Sequence, residues 1–209
     1  MRNLSSVPRS ISDEIVQFCG NINPLSKPIY VDSLPLDGNS VGNCFNNVED
    51  TLNSSESSIL GWIIWQTSSY LLQAEFHNVI KSGSGKLICV TPYSKSYDKI
   101  LFLEDSAMKY ENKRVPTIYK AMDDSTETAT FIHALEALSE VEVYMSDALV
   151  IEHLSDPQNI VKRNALQGTM RDIENAIGAF EAMVLKDTDR NSKCICGSGK
   201  KFKKCCGAN

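Results

Sequence analysis

Apolar and polar residues follow different rhythms in successive parts of this chain. Residues 10–20 (SISDEIVQFCG) carry helix start and stop signals: Ser10 or Ser12 can cap, Asp13 and Glu14 favour a first turn, and Gly20 supplies an end. Pro24, Pro28 and Pro35 with several Asn and Ser predict loop over 21–43, apart from a short strand at 29–31. Asn43 is placed to cap a helix opening at Cys44. The middle of the chain then turns to aromatic and branched residues, which predict strands over 59–66, 70–80, 86–91 and 99–104. Gly83-Ser84-Gly85 is the turn joining the second of these to the third. Helical spacing returns at 126–139 with Ala129, Ile132, Leu135 and Leu138, followed by a mixed segment over 140–154. Ser155-Asp156-Pro157 starts a long helix that runs to about Lys186, its apolar side formed by Ile160, Leu166, Met170, Ile173, Ile177, Phe180 and Leu185.

This order predicts an α+β protein: an antiparallel sheet of about four strands, N-terminal and C-terminal helices, and a small appended tail. Three parts are expected: a body over 1–154, a long helix over 155–187 and a tail over 188–209.

Charge and cysteine placement set the tail apart. The 209 residues carry a net charge of −5, from 21 basic and 26 acidic residues. Residues 190–209 hold six bases and no acid, which leaves 15 bases against all 26 acids, a net −11, for residues 1–189. A basic module on an acidic body predicts an acidic partner for the tail and disfavours nucleic-acid binding by the body, while the tail itself could touch RNA phosphates or a ribosome. Four of seven cysteines crowd into the tail, and the odd count with adjacent Cys205 and Cys206 argues for reduced thiols over a disulfide framework. No apolar run reaches membrane-spanning length, and the first residues lack a signal-peptide core, so a cytoplasmic protein is expected.

The tail reads Cys194-Ile-Cys196-Gly-Ser-Gly-Lys-Lys-Phe-Lys-Lys-Cys205-Cys206-Gly. Two close thiol pairs separated by a glycine-bearing turn can fold back on one tetrahedral Zn²⁺. Phe202 is the segment's only large apolar side chain, so a hydrophobic core cannot hold it and a metal must. These residues resemble the SEC-C motif, the zinc module at the end of many bacterial SecA translocation ATPases. The resemblance implies Cys194, Cys196, Cys205 and Cys206 as ligands, a bacterial or phage origin, and docking on a protein partner, since in SecA the module contacts a chaperone and the ribosome. It covers under a tenth of the chain, and no phosphate-binding GxxxxGK[ST] loop accompanies it.

In the body, a thiol at a helix start and a histidine on a following strand form the second candidate. Cys44 follows Gly42-Asn43, where a helix dipole would favour thiolate, and His77 lies on a strand that precedes a turn and a further strand. That order resembles the transglutaminase- and papain-like layout, which implies Cys44 as nucleophile and His77 as general base for acyl transfer or amide hydrolysis. The layout places an orienting carboxylate near residue 89, where this chain has Cys89-Val90-Thr91-Pro92, so Asp98 or another group would have to substitute. A His77–Cys44–Cys89 metal site is a further arrangement of the same residues. Trp62 and Trp65 are expected as core aromatics, Cys19 as a buried small hydrophobe, His133 and His153 on helix surfaces, and Asn46-Asn47 at a solvated helix start. Two functions compete: a cysteine-dependent hydrolase or acyltransferase with a zinc docking tail, and a non-catalytic adaptor whose tail docks on a ribosome, chaperone or other acidic surface.

Overall fold

A computed structural model describes residues 4–145, 150, 154–195, 199–205, 207 and 208. Two compact units are formed, one from residues 5–67 and 72–120, the other from residues 121–209 with the 68–71 turn and the N-terminus.

The first unit holds α1 (Asp13–Ile22), β1 (Ile29–Ser33), α2 (Cys44–Glu49), β2 (Ser57–Thr67), most of β3 (Leu71–Lys81), β4 (Leu87–Cys89), β5 (Lys99–Glu104) and most of β6 (Ile118–Ala121). Strand order is β2-β5-β1-β4-β3-β6, and an additional β2–β3 pairing closes the first five strands into a barrel. The barrel is mixed: β1 runs parallel to β4, with Ser33 opposite Cys89, and antiparallel to β5, with Tyr30 opposite Leu101. The expectation of a four-stranded antiparallel sheet is therefore corrected. The segment predicted at 29–31 is a full member of the ring, inserted between two strands that follow it much later in the chain, and β6 is added outside the closure.

Alternation along each strand divides inside from outside. Val31, Ile63, Val79, Cys89, Ile100 and Phe102 fill the barrel, and Ile59, Trp65, Leu87 and Tyr93 pack against them. Gly61 lets β2 approach β5 closely, since a Cβ there would lie on the Leu103 carbonyl oxygen and within 2.6 Å of the Phe102 ring. The outward positions are buried as well, with Leu101 and Leu103 fully covered. This explains why β5 reads as an unbroken apolar run rather than as alternation.

The helices follow their local signals with adjustments. Ser12 caps α1, its Oγ accepting from the Ile15 N–H. The helix continues through Gly20 to Ile22, so Gly20 is not its end. Asn43 precedes α2 as expected but makes no side-chain cap. Val48 of α2 joins Ile80 and Val90, with Leu52 and Ile88 alongside, on the outer face of β3 and β4.

In the second unit α3 (Thr126–Met145) packs against α4 (Ile160–Asp187). Phe131 and Phe180 stack with centroids 4.1 Å apart and planes 4° from parallel. The sequence grouped the 126–139 helix with the body; its partner in space is the long helix. Asp156 accepts from the Gln158 N–H at 2.8 Å and a 3-10 turn, Pro157–Asn159, leads into α4. Tyr70 donates to Asp187 Oδ2 at 2.5 Å and meets Phe180 edge-on. Among the described residues no helix is long and apolar enough to cross a membrane.

Candidate functional site

The tail folds as a tight hairpin that begins where α4 ends. Thr188 departs from helical geometry, and Asp189 accepts the Asn191 and Ser192 N–H groups on Oδ1. Lys193 and Lys201 then form an antiparallel bridge. The Cys194 N–H donates to the Lys200 carbonyl at 2.7 Å, the Phe202 N–H to Ser192 at 2.9 Å and the Lys203 N–H to Arg190 at 3.0 Å. Gly199 makes the turn between these arms at φ +72°, a backbone conformation that favours glycine. A 3-10 turn over Phe202–Lys204 brings the chain back to Cys205.

This path puts Cys194 and Cys205 in one cluster with Phe202, Leu185 and Ile195, although ten residues separate them in sequence. Cys194 is fully buried and Phe202 nearly so. Gly207 must remain small, because a Cβ there would meet the Phe202 ring at 2.6–2.9 Å. Cys196 and Cys206, the other two predicted ligands, lie outside the described residues. The two described thiols are brought together by a turn and belong to a segment with one large side chain of its own, a donor pair that fits a soft metal ion such as Zn²⁺.

Inside the barrel, His77 and Val79 point inward from β3 while Phe76 and Ile80 point outward. His77 is 3% exposed, and its Nε2 lies 3.4 Å from Cys89 Sγ and 3.3 Å from Tyr93 Oη. Cys89 Sγ and Tyr93 Oη are 3.2 Å apart, which completes a triangle of polar groups, two of them buried and Tyr93 half-buried. Tyr93 continues into edge-on contacts with Trp65 at 5.6 Å and Tyr97 at 5.9 Å, and the Trp65 indole donates to Glu75 Oε2 at 2.9 Å. Burial pushes His77 down to about 3 and the Cys89 thiol up, the latter against opposing pulls from Tyr93 and the Thr91 backbone. Both partners are therefore neutral at ordinary pH, and the pair is imidazole with thiol rather than imidazolium with thiolate.

Cys44 reaches the same neighbourhood from α2, close enough for its charge to act on Cys89 and Tyr93, but makes no hydrogen bond to His77. Phe45, next to it on α2, meets Phe76 at 5.4 Å on the outer face of β3, and the Cys44 sulfur takes the Asn78 backbone N–H. Burial pushes its thiol up to about 11 despite that N–H. α2 has only six residues, too short to supply the dipole that the sequence suggested would favour thiolate. The thiol in hydrogen-bond contact with His77 is thus Cys89, not Cys44. Asp98 is exposed and uses its backbone carbonyl to accept the Ser33 N–H, so it does not orient the ring. Tyr93 was missed by sequence reasoning. Its signal was parity, because residues 89, 91 and 93 share one face if the strand direction persists past Pro92.

Other expectations resolve individually. Trp62 is buried at 4% exposure and Trp65 half-buried, Cys19 is fully buried, and the His133 side chain is 81% exposed on α3. His153 lies outside the described residues. Asn47 is not solvated: it is buried, exchanges hydrogen bonds with the Ser40 backbone and donates to Thr91 Oγ1, which ties α2 to the loop before it. Among the described residues no group of three or more His, Cys, Asp or Glu side chains is arranged to hold a metal ion.

The SEC-C motif family matches residues 190–208 of the chain. A stretch of 81 residues, 36% of the chain, is 36% identical to a UPF0225 protein of Vibrio parahaemolyticus and covers 48% of it. The chain spans about half the length of that curated relative. No solved structure matches the chain. The matched family touches the tail alone and lends nothing to the transglutaminase- and papain-like layout of the body.

Proposed function

We propose that this chain is a cytoplasmic, non-catalytic adaptor whose SEC-C tail binds Zn²⁺ and docks on an acidic partner surface. The observation that carries the reading is the convergence of Cys194 and Cys205 around Phe202 in a segment of six bases and no acid. Cys194, Cys196, Cys205 and Cys206 would hold the ion. Bound zinc supplies the stability that so short a segment lacks, on the order of 10–16 kcal/mol in small peptide modules. The lysines Lys200, Lys201, Lys203 and Lys204 surround the turn and present the positive charge that an acidic protein face, or ribosomal RNA phosphate, would meet.

The body supports an adaptor because none of its cysteines is activated. Burial raises the thiols of Cys19, Cys44 and Cys89 together, and His77 is held neutral. The competing reading, a cysteine-dependent hydrolase or acyltransferase built on Cys44 and His77, draws on the presence of an imidazole–thiol contact, but that contact is made by Cys89. Metal analysis of the purified full chain tests the first reading, with one zinc per chain expected. A pull-down comparing the full chain with one lacking 190–209 tests docking. Partners retained without the tail, or protein free of stoichiometric metal, would overturn the proposal.

A further inference from the structure

A cleft of ≈ 490 Å³ lies in the barrel unit among α1, the outer face of β2, the chain after β5, and β6. Its size falls within the ~300–1,000 Å³ of small-molecule sites. Phe18, Ile22, Trp62, Met108 and Ile118 give it apolar walls. One charged group is buried in those walls: Asp105, 7% exposed. Its Oδ2 accepts the Trp62 indole N–H at 3.0 Å and its Oδ1 the Ala107 backbone N–H at 3.2 Å. Both donors are neutral, and no described cation forms an ion pair with this carboxylate. Lys120 also borders the cleft, but its Nζ donates to Gln17 Oε1 at 3.2 Å and its charge acts on Glu14.

A carboxylate more than nine-tenths removed from water is costly unless a cation or several donors compensate it. Two neutral donors leave acceptor capacity on both oxygens of Asp105. The indole that orients the carboxylate adds a π-face attractive to a cation. We propose that this cleft binds a primary ammonium ligand with an aromatic or branched apolar body, the ammonium on Asp105 and the body against Phe18, Ile22 and Trp62. The site is independent of the tail and of any metal there. An anionic ligand of the same shape would meet Asp105 unfavourably, so charge sign separates this site from a merely greasy groove.

The test titrates the full chain with 2-phenylethylamine and, separately, with 3-phenylpropionate, which has a similar body and the opposite charge, by calorimetry and by amide chemical shifts. The amine binds saturably, with shifts centred on α1, β6 and the Trp62 indole, and the acid binds at least about tenfold more weakly. Asp105→Asn keeps an acceptor for the indole and lowers amine affinity at least about tenfold. Ile118→Trp, which fills the cleft with Asp105 unchanged in identity, abolishes binding and stands in should Asp105→Asn fail to fold. Absence of saturable amine binding up to about 10 mM, equal binding of the acid, or unchanged amine binding in a folded variant would overturn the assignment.

Discussion

His77 Nε2 lies 3.4 Å from Cys89 Sγ inside the barrel, on the opposite side of β3 from the helix that carries Cys44. The pair is set by register. β1 places Ser33 beside Cys89, and the 168-sum pairing of β3 with β4 (Ile80 opposite Ile88) carries Cys89 to the inner face that His77 and Val79 share. Three polar side chains then satisfy one another in an apolar interior, and low polarity around them keeps all three uncharged.

Acid should destabilise the barrel through His77. Its folded-state value of about 3 lies below the ordinary 6.5, so the neutral ring contributes stability that is fully present above pH 6.5 and lost as pH falls toward 3. The loss is on the order of a few kcal/mol at its largest. Urea unfolding at a series of pH values between 7 and 4 reads it. His77→Gln, which cannot titrate, is expected to be less stable at neutral pH and to show a shallower acid dependence. An unchanged slope would place the titrating group elsewhere.

The buried thiols should react slowly. Cys44 is raised to about 11 and Cys19 to about 12, so at pH 8 both are almost wholly protonated as well as covered. Iodoacetamide labelling followed by peptide mass spectrometry is expected to show Cys19, Cys44 and Cys89 modified in urea but hardly in native protein. Rapid native labelling of Cys44 with an acidic pH midpoint would revive the nucleophile reading. Because these thiol values are raised on folding, their contribution to stability is present below pH 9 and declines as pH rises through 11 to 12.

Gly61→Ala should disturb the β2–β5 contact. The added methyl meets the Phe102 ring and the Leu103 carbonyl, and backbone cannot yield as a flexible side-chain tip can. A loss of about 1–3 kcal/mol is expected from overpacking, visible as a lower thermal midpoint. Gly20→Ala, in a helix with open space at that point, is the control, and it should be neutral or slightly stabilising.

Removing metal should loosen the tail while leaving the barrel folded. Treatment with a zinc chelator is expected to expose 190–208 to trypsin at its lysines, with the main thermal transition little changed. Cys194→Ser and Cys205→Ser should each reproduce that sensitivity without a chelator. Equal protease resistance with and without chelator would mean that the hairpin hydrogen bonds alone suffice.

The features legible before folding are those whose causes are local. The Ser12 and Asp156 caps and the apolar runs of β2, β3 and β5 depend on neighbours within a few residues, and each appears close to its expected place. Cys89 illustrates the other kind. Its place after the glycine turn made it conspicuous, but as a defect in a borrowed layout rather than as the partner of His77.

What the sequence by itself determined was every named strand but β6, the helices, and a tail rich in cysteine and positive charge, because helix periodicity, turn residues and residue spacing act along the chain. Tertiary structure alone decided that β1 enters between β4 and β5, that β2 and β3 close the ring, and that Cys89 and Tyr93 rather than Cys44 hydrogen-bond His77. Those choices are made by hydrogen-bond pairing and side-chain fit between segments tens of residues apart. A one-residue change of register reverses which face a side chain occupies, and local pattern carries no information about partner or register.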